Sequence, residues 1–199
     1  MPTSNRHFRN RIDLRKNHSL IPTRYWVLMV MVWLFMTTGT SVYALDGQSL
    51  KPGLKALDKN GHMQVSPEDR CPVCGMKVIR HPKFASAIQL QDDTTYYFCG
   101  TGCMIRSWLH PEIFLDKAKT KLKQPVVKEY FSGQPIDARK VIFVCGSDVV
   151  GPMGPALVPV KDAQSLEVFK QRHGGRTEFL LEELDDAKWF EMTGKKMVK

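Results

Sequence analysis

An α+β fold built of two small related units, each of strands plus one helix, is predicted by three features of this 199-residue chain. Short runs rich in β-branched and aromatic residues alternate with turn signals. Two apolar stripes of helical period each end at a stop signal. Gly75-Met76 precedes two strands and a helix, and Met153-Gly154 precedes a strand and a helix, a weak internal echo. A content of 43% hydrophobic and 25% charged residues excludes a disordered or low-complexity chain.

The first 44 residues read as an address. Arg6, Arg9, Arg11, Arg15, Lys16 and Arg24 stand against a single Asp13, and an uncharged apolar run follows from Tyr25 to Met36. The run fades through a Thr/Gly stretch to Val42-Tyr43-Ala44, a small-residue exit of the kind signal peptidase prefers. The apolar core is shorter than the roughly 20 residues of a spanning helix, which favours cleavage at about Ala44. An uncleaved inner-membrane anchor with its basic end in the cytoplasm is the alternative. The formal net charge of +9 is largely this segment, since residues 45–199 carry 23 Lys+Arg against 19 Asp+Glu. No basic cluster interleaved with aromatics remains, so a nucleic-acid partner is not expected.

Residues 45–69 are polar, with Gly47, Pro52, Gly53 and Gly61, and read as a tether and loop. The first unit is expected over 70–123. Phe84 to Leu90 and Thr94 to Phe98 alternate as two strands around the turn Gln91-Asp92-Asp93. Met104, Ile105, Trp108 and Leu109 share one helical face, ended by His110-Pro111. Lys117 to Lys123 reads as the solvated face of a short helix.

Gln124-Pro125 opens the second unit, expected over 124–185, with a tail over 186–199. Val126 to Phe131, Val141 to Cys145 and Ala156 to Val160 read as strands. Asp162 caps a helix through His173, stopped by Gly174-Gly175, and Thr177 to Leu181 returns as a strand.

The chemistry sits in the cysteines. Cys71-Pro-Val-Cys74-Gly-Met76 is a C-x2-C loop, followed after 24 residues by Cys99-Gly-Thr-Gly-Cys103-Met104. A C-x2-C loop lets two thiolates face one ion, and Gly75 permits the turn that brings Met76 alongside. Cys99 at a strand end and Cys103 one turn into a helix share an edge at i, i+4. Four thiolates fit a closed structural zinc site. Export into an oxidising space and the neighbouring thioethers of Met76, Met104 and Met153 suit Cu(I). Two structural disulfides are a further option, and a thioredoxin-like dithiol is disfavoured because Cys71-Pro-Val-Cys74 follows a loop rather than a strand. Met104 and Cys145 read as packing residues, and no spacing selects a histidine.

The order of Cys71-Pro-Val-Cys-Gly-Met76, Tyr130-Phe-Ser-Gly133, Ile136-Asp-Ala138, Phe143-Val-Cys-Gly-Ser-Asp-Val149, Gly151-Pro-Met-Gly154, Leu157-Val-Pro159 and His173-Gly-Gly175 resembles the NosL family over about residues 70–182. The resemblance implies an exported, non-enzymatic Cu(I)-binding chaperone for maturation of nitrous oxide reductase or another copper enzyme. It implies a membrane ABC-type maturation complex as partner and a fold similar to part of organomercurial lyase. With it, Cys71, Cys74 and Met76 become the favoured copper ligands, Met153 the contribution of the second unit, and Cys99 and Cys103 the next candidates. Two features depart from the family. No cysteine precedes Cys71, so a lipid anchor is not expected, and Cys99-x3-Cys103 resembles small heavy-metal-binding modules. The rivals are a structural zinc interaction protein and a carbon–mercury lyase-like enzyme using Asp148 or Asp137 as proton source.

Overall fold

A computed structural model describes residues 55–198. The expected signal or anchor over 1–44 and the start of the tether lie outside the described residues. In chain order the elements are β1 (Ser86–Leu90), β2 (Thr95–Phe98), α1 (Thr101–Leu109), the one-turn α2 (Pro111–Phe114), β3 (Leu122–Lys128) and β4 (Pro135–Asp137). They continue with β5 (Ile142–Cys145), the two-residue β6 (Val150–Gly151) and β7 (Gly154–Pro155), β8 (Val158–Val160), α3 (Ala163–His173), β9 (Thr177–Phe179) and α4 (Asp186–Thr193). The mix of helices and antiparallel sheets is the α+β class read from the sequence.

The first sheet has the order β2-β1-β3-β4. Its hairpin β1–β2 forms in the expected register, with Ser86 opposite Phe98 and Gln89 opposite Thr95. All residues of β1 and β2 are buried, so both of their faces are covered. α1 packs against β1, β2 and β3, setting Met104 and Ile105 in the core. The segment before the first cysteine is tied down, because Tyr97 Oη donates to Lys55 O at 3.0 Å and accepts from Gln64 N at 3.1 Å. Leu57, Met63 and Val65 pack on the same core, so the described end of the expected tether is part of the folded body.

The strand read as opening the second unit belongs to the first sheet. β3 pairs β1, with Val126 opposite Ala87, and pairs β4, with Val127 opposite Ile136. Pro125 does not end it. β4 reaches only Val126 to Lys128, so at Pro125 the strand has a neighbour on one side and tolerates a missing N–H. The expected short helix over Lys117 to Lys123 is a single 3-10 turn at Lys119–Lys121 that runs straight into β3.

The second sheet has the order β8-β5-β9. β5 alternates: Phe143 and Cys145 face the main core, where Phe143 stacks on Phe179 at 5.3 Å, and Val144 faces a smaller cluster with Phe169 of α3. α3 starts and stops where its caps predict. Asp162 accepts from Ser165 N at 2.8 Å, and Gly174 closes the helix at φ +68°. The expected tail instead forms α4, which buries Trp189 and is followed by buried Met197. His110 Nε2, 2.7 Å from Asp186, ties the end of α1 to the start of α4.

Candidate metal centre

Cys71 begins a small knuckle. Arg70 and Lys77 face each other in an antiparallel bridge, Cys71 N donates to Met76 O at 2.9 Å, and Gly75 N donates to Cys71 O at 2.8 Å. Gly75 holds φ +73°, a left-handed turn that other residues adopt at a cost. Arg70 Nη1 donates to Gly75 O at 3.1 Å and closes the turn from outside. The knuckle sets Cys71 and Cys74 toward the end of β2, where Cys99 follows Phe98 and Cys103 stands in the first turn of α1.

The four sulfurs form one cluster, all within 4.8 Å of one another. Cys74 Sγ lies 3.4 Å from Cys99 Sγ, and Cys99 Sγ lies 3.9 Å from Cys103 Sγ. Four thiolates at 2.3 Å from a tetrahedral ion would stand about 3.8 Å apart, so the spacing accepts a single ion with little movement. No cysteine is in a disulfide. Among the described residues no histidine or carboxylate joins the cluster.

Its electrostatics are those of a shared proton set. The S–H of Cys103 and then that of Cys99 stabilise charge on Cys71, outweighing Cys74 and burial, so its pKa is lowered. Cys74 is lowered too, chiefly through its hydrogen bonding with Cys103 and Cys71. For Cys99 the Cys103 hydrogen bond pulls downward, but Cys71, Cys74 and burial outweigh it and the thiol is raised. Cys103 is raised by Cys71, Cys74 and Cys99 in turn. A bound metal would take all four as thiolates, so loading it releases protons.

Access is uneven. Cys71, Cys99 and Cys103 are buried and Cys74 is half-buried, so the cluster meets solvent through the knuckle. Met76, also on the knuckle, is half-buried and packs against the core. Met153 stands 55% exposed in the β6–β7 turn and lines a cavity that Cys103 also lines. The fold thus brings four of the six candidate ligands into one cluster, with Met76 two residues after Cys74 and Met153 on a cavity shared with Cys103. Met104 is fully buried on α1, as a core residue.

Cys145 is buried, its thiol raised chiefly by desolvation, and its Sγ lies 3.8 Å from Met192 O. Met192, which the sequence pattern leaves without a partner, lines the same cavity as Met153. The carboxylates considered for a lyase are engaged apart from the cluster. Asp137 caps the turn at Arg139 and pairs with its guanidinium. Asp148 pairs with His173 Nδ1 at 2.9 Å, and Tyr130 Oη lies 3.0 Å from His173 Nε2, a network that fixes the His-Gly-Gly end of α3.

Known proteins resemble this chain in sequence and fold. The family model for NosL matches residues 62–188. A copper-binding lipoprotein NosL from Stutzerimonas stutzeri is 28% identical over 163 residues, covering 80% of each chain. The crystal structure of the copper chaperone NosL from Shewanella denitrificans has the same fold, with a TM-score of 0.54 at 22% identity over 64% of this chain and 98% of that one. With the family model spanning the knuckle, both main sheets and α3, this chain belongs to the NosL family.

Proposed function

We propose that this protein is an exported Cu(I)-binding chaperone, not an enzyme, whose cargo is held by Cys71, Cys74, Cys99 and Cys103. The observation that carries the reading is the four-sulfur cluster, partly open at Cys74 and joined by no histidine or carboxylate among the described residues. Soft thiolates select a soft ion, and Cu(I) is the soft ion that relatives named for copper binding suggest. Met76, two residues after Cys74 on the knuckle, is suited to taking part of the ion's coordination as it leaves through Cys74. Met153, on the cavity that Cys103 lines, serves as a second thioether. Transfer then proceeds by stepwise ligand exchange, with Cys74 the first protein thiolate that an acceptor's ligands meet.

The recipient in this reading is nitrous oxide reductase or another exported copper enzyme, served together with a membrane ABC-type maturation complex. Residues 1–44 direct the chain to the periplasm or hold it at the inner membrane facing the periplasm. In a competition titration with a chromophoric Cu(I) chelator, Cys74→Ser is expected to weaken binding by at least about tenfold. Unchanged affinity would remove Cys74 from the site. Met153→Ala is expected to weaken binding less while leaving the circular dichroism unchanged, and no effect would confine the ion to the cysteines.

One observation favours a second reading. The sulfur spacing fits a closed tetrahedral zinc site, and three of its four cysteines are buried. A resident zinc would make the cluster a fold-holding element. It predicts stoichiometric zinc on purification and unfolding on chelation.

A further inference from the structure

Adjoining the sulfur cluster at Cys103 is a cavity of about 240 Å³ between α1, the β6–β7 turn and α4. Its charged lining is of one sign. Arg106, Arg176 and Lys195 line it, and no aspartate or glutamate is among the described residues that do. Among the described residues, none of these three cations has a carboxylate partner, whereas elsewhere Arg139, Lys170 and Lys188 each have one.

Arg176 is held in place. Its backbone N donates to Cys145 O at 2.8 Å beside the β5–β9 ladder. Its side chain lies across Gly146, where an added Cβ would come within 2.5 Å of Nε. Gly146, at φ +79°, therefore leaves the space that the guanidinium stem fills. Arg106 is fixed by Nε donating to Met197 O at 2.7 Å, with its guanidinium over the Phe114 ring at 4.8 Å. Trp189 forms another wall, and its buried indole N–H has no acceptor. Positive charge gathers here with no carboxylate beside it.

We propose that this cavity is a binding site for a small organic carboxylate, one charged group on a short apolar body. The guanidinium fork of Arg176 matches a carboxylate in two parallel hydrogen bonds, and Lys195 adds charge at the rim. The apolar body is set by the rest of the lining, where Phe84, Leu157, Met153 and Met192 offer hydrocarbon and thioether surface. A compact, doubly charged phosphate would leave that surface uncovered. The cavity shares Cys103 and Met153 with the copper reading, so the titration is run on metal-free protein and reads the anion alone.

The test is a butyrate titration of the reduced full-length protein at constant ionic strength, read by the Trp189 indole N–H resonance. Inorganic phosphate and butyramide are run in parallel. Saturable binding of butyrate, absent for butyramide, is expected, and Arg176→Gln should weaken it at least about tenfold. Arg176→Lys should weaken it less, because it keeps the charge and loses the fork. Lys83→Gln, outside this cavity, should leave it unchanged. If Arg176→Gln does not fold by circular dichroism, Lys195→Gln is expected to weaken binding in its place. No saturable shift, equal affinity for phosphate, or butyrate binding indifferent to a folded Arg176 or Lys195 variant would overturn the proposal.

Discussion

Cys74 and Cys99 stand 3.4 Å apart, and that contact joins the two cysteine motifs rather than the members of either. Spacing along the chain pairs Cys71 with Cys74 and Cys99 with Cys103, because local geometry is all that spacing reports. The approach of the knuckle to the end of β2 is a tertiary fact, and it makes one cluster of four out of two pairs. The proton arrangement follows from that closeness, with Cys71 and Cys74 lowered and Cys99 and Cys103 raised. Loading one four-thiolate ion is therefore expected to release protons, and apparent affinity should climb as pH rises. A pH-stat measurement during metal addition checks this, and no proton release would mean that the raised thiols are not ligands. Asp137 gives a second, independent pH response. Its pKa is lowered: burial opposes the charge, but the Arg139 hydrogen bonds and charge outweigh it. A carboxylate lowered in the folded state stabilises above its ordinary value of 3.8 and loses that contribution as pH falls through its folded value. Asp137→Asn should flatten the acid limb of the stability profile, and an unchanged limb would exclude this pair as its source.

Elements were legible where capping and periodicity agreed. Asp162 and Gly174 bound α3, the turn Gln91-Asp92-Asp93 marks the β1–β2 hairpin, and α1 shows its apolar face. α4 carried signals of the same kind that the tail reading passed over. Asp185 accepts from Lys188 N at 2.8 Å as N-cap, and Gly194 stops the helix in the left-handed region at φ +66°. Trp189 is its single buried side chain, too sparse for a periodicity argument. The strand at Val126 was legible as a strand but not as a partner of β1, since sheet membership depends on contacts distant in sequence. Trp189→Ala is expected to destabilise the fold by about 3 kcal/mol, with the cluster's metal affinity falling as well because α4 backs the α1 N-terminus. Denaturant unfolding checks the first part, and a change under 1 kcal/mol would mean that α4 is loosely attached. Gly75→Ala should cost about 1 kcal/mol or more through its positive φ and should disturb the knuckle before the sheets.

At the scale of the whole molecule, the two main sheets hold a sulfur cluster and a cationic cavity that meet at Cys103. The family was legible from the order of several uncommon motifs along the chain. That Met153 shares a cavity with Cys103 was not legible, since a turn's address in the fold is set by contacts distant in sequence. An exported copper carrier needs a soft site with one accessible ligand, and Cys74 on its knuckle meets that need. The most direct test is a Cu(I) titration of the reduced protein against a chromophoric chelator, with zinc in competition and metal analysis of the protein as isolated. The account predicts one Cu(I) per chain, unaffected by zinc and lost when Cys71→Ser and Cys74→Ser are combined. Stoichiometric zinc that Cu(I) displaces only with unfolding would contradict it.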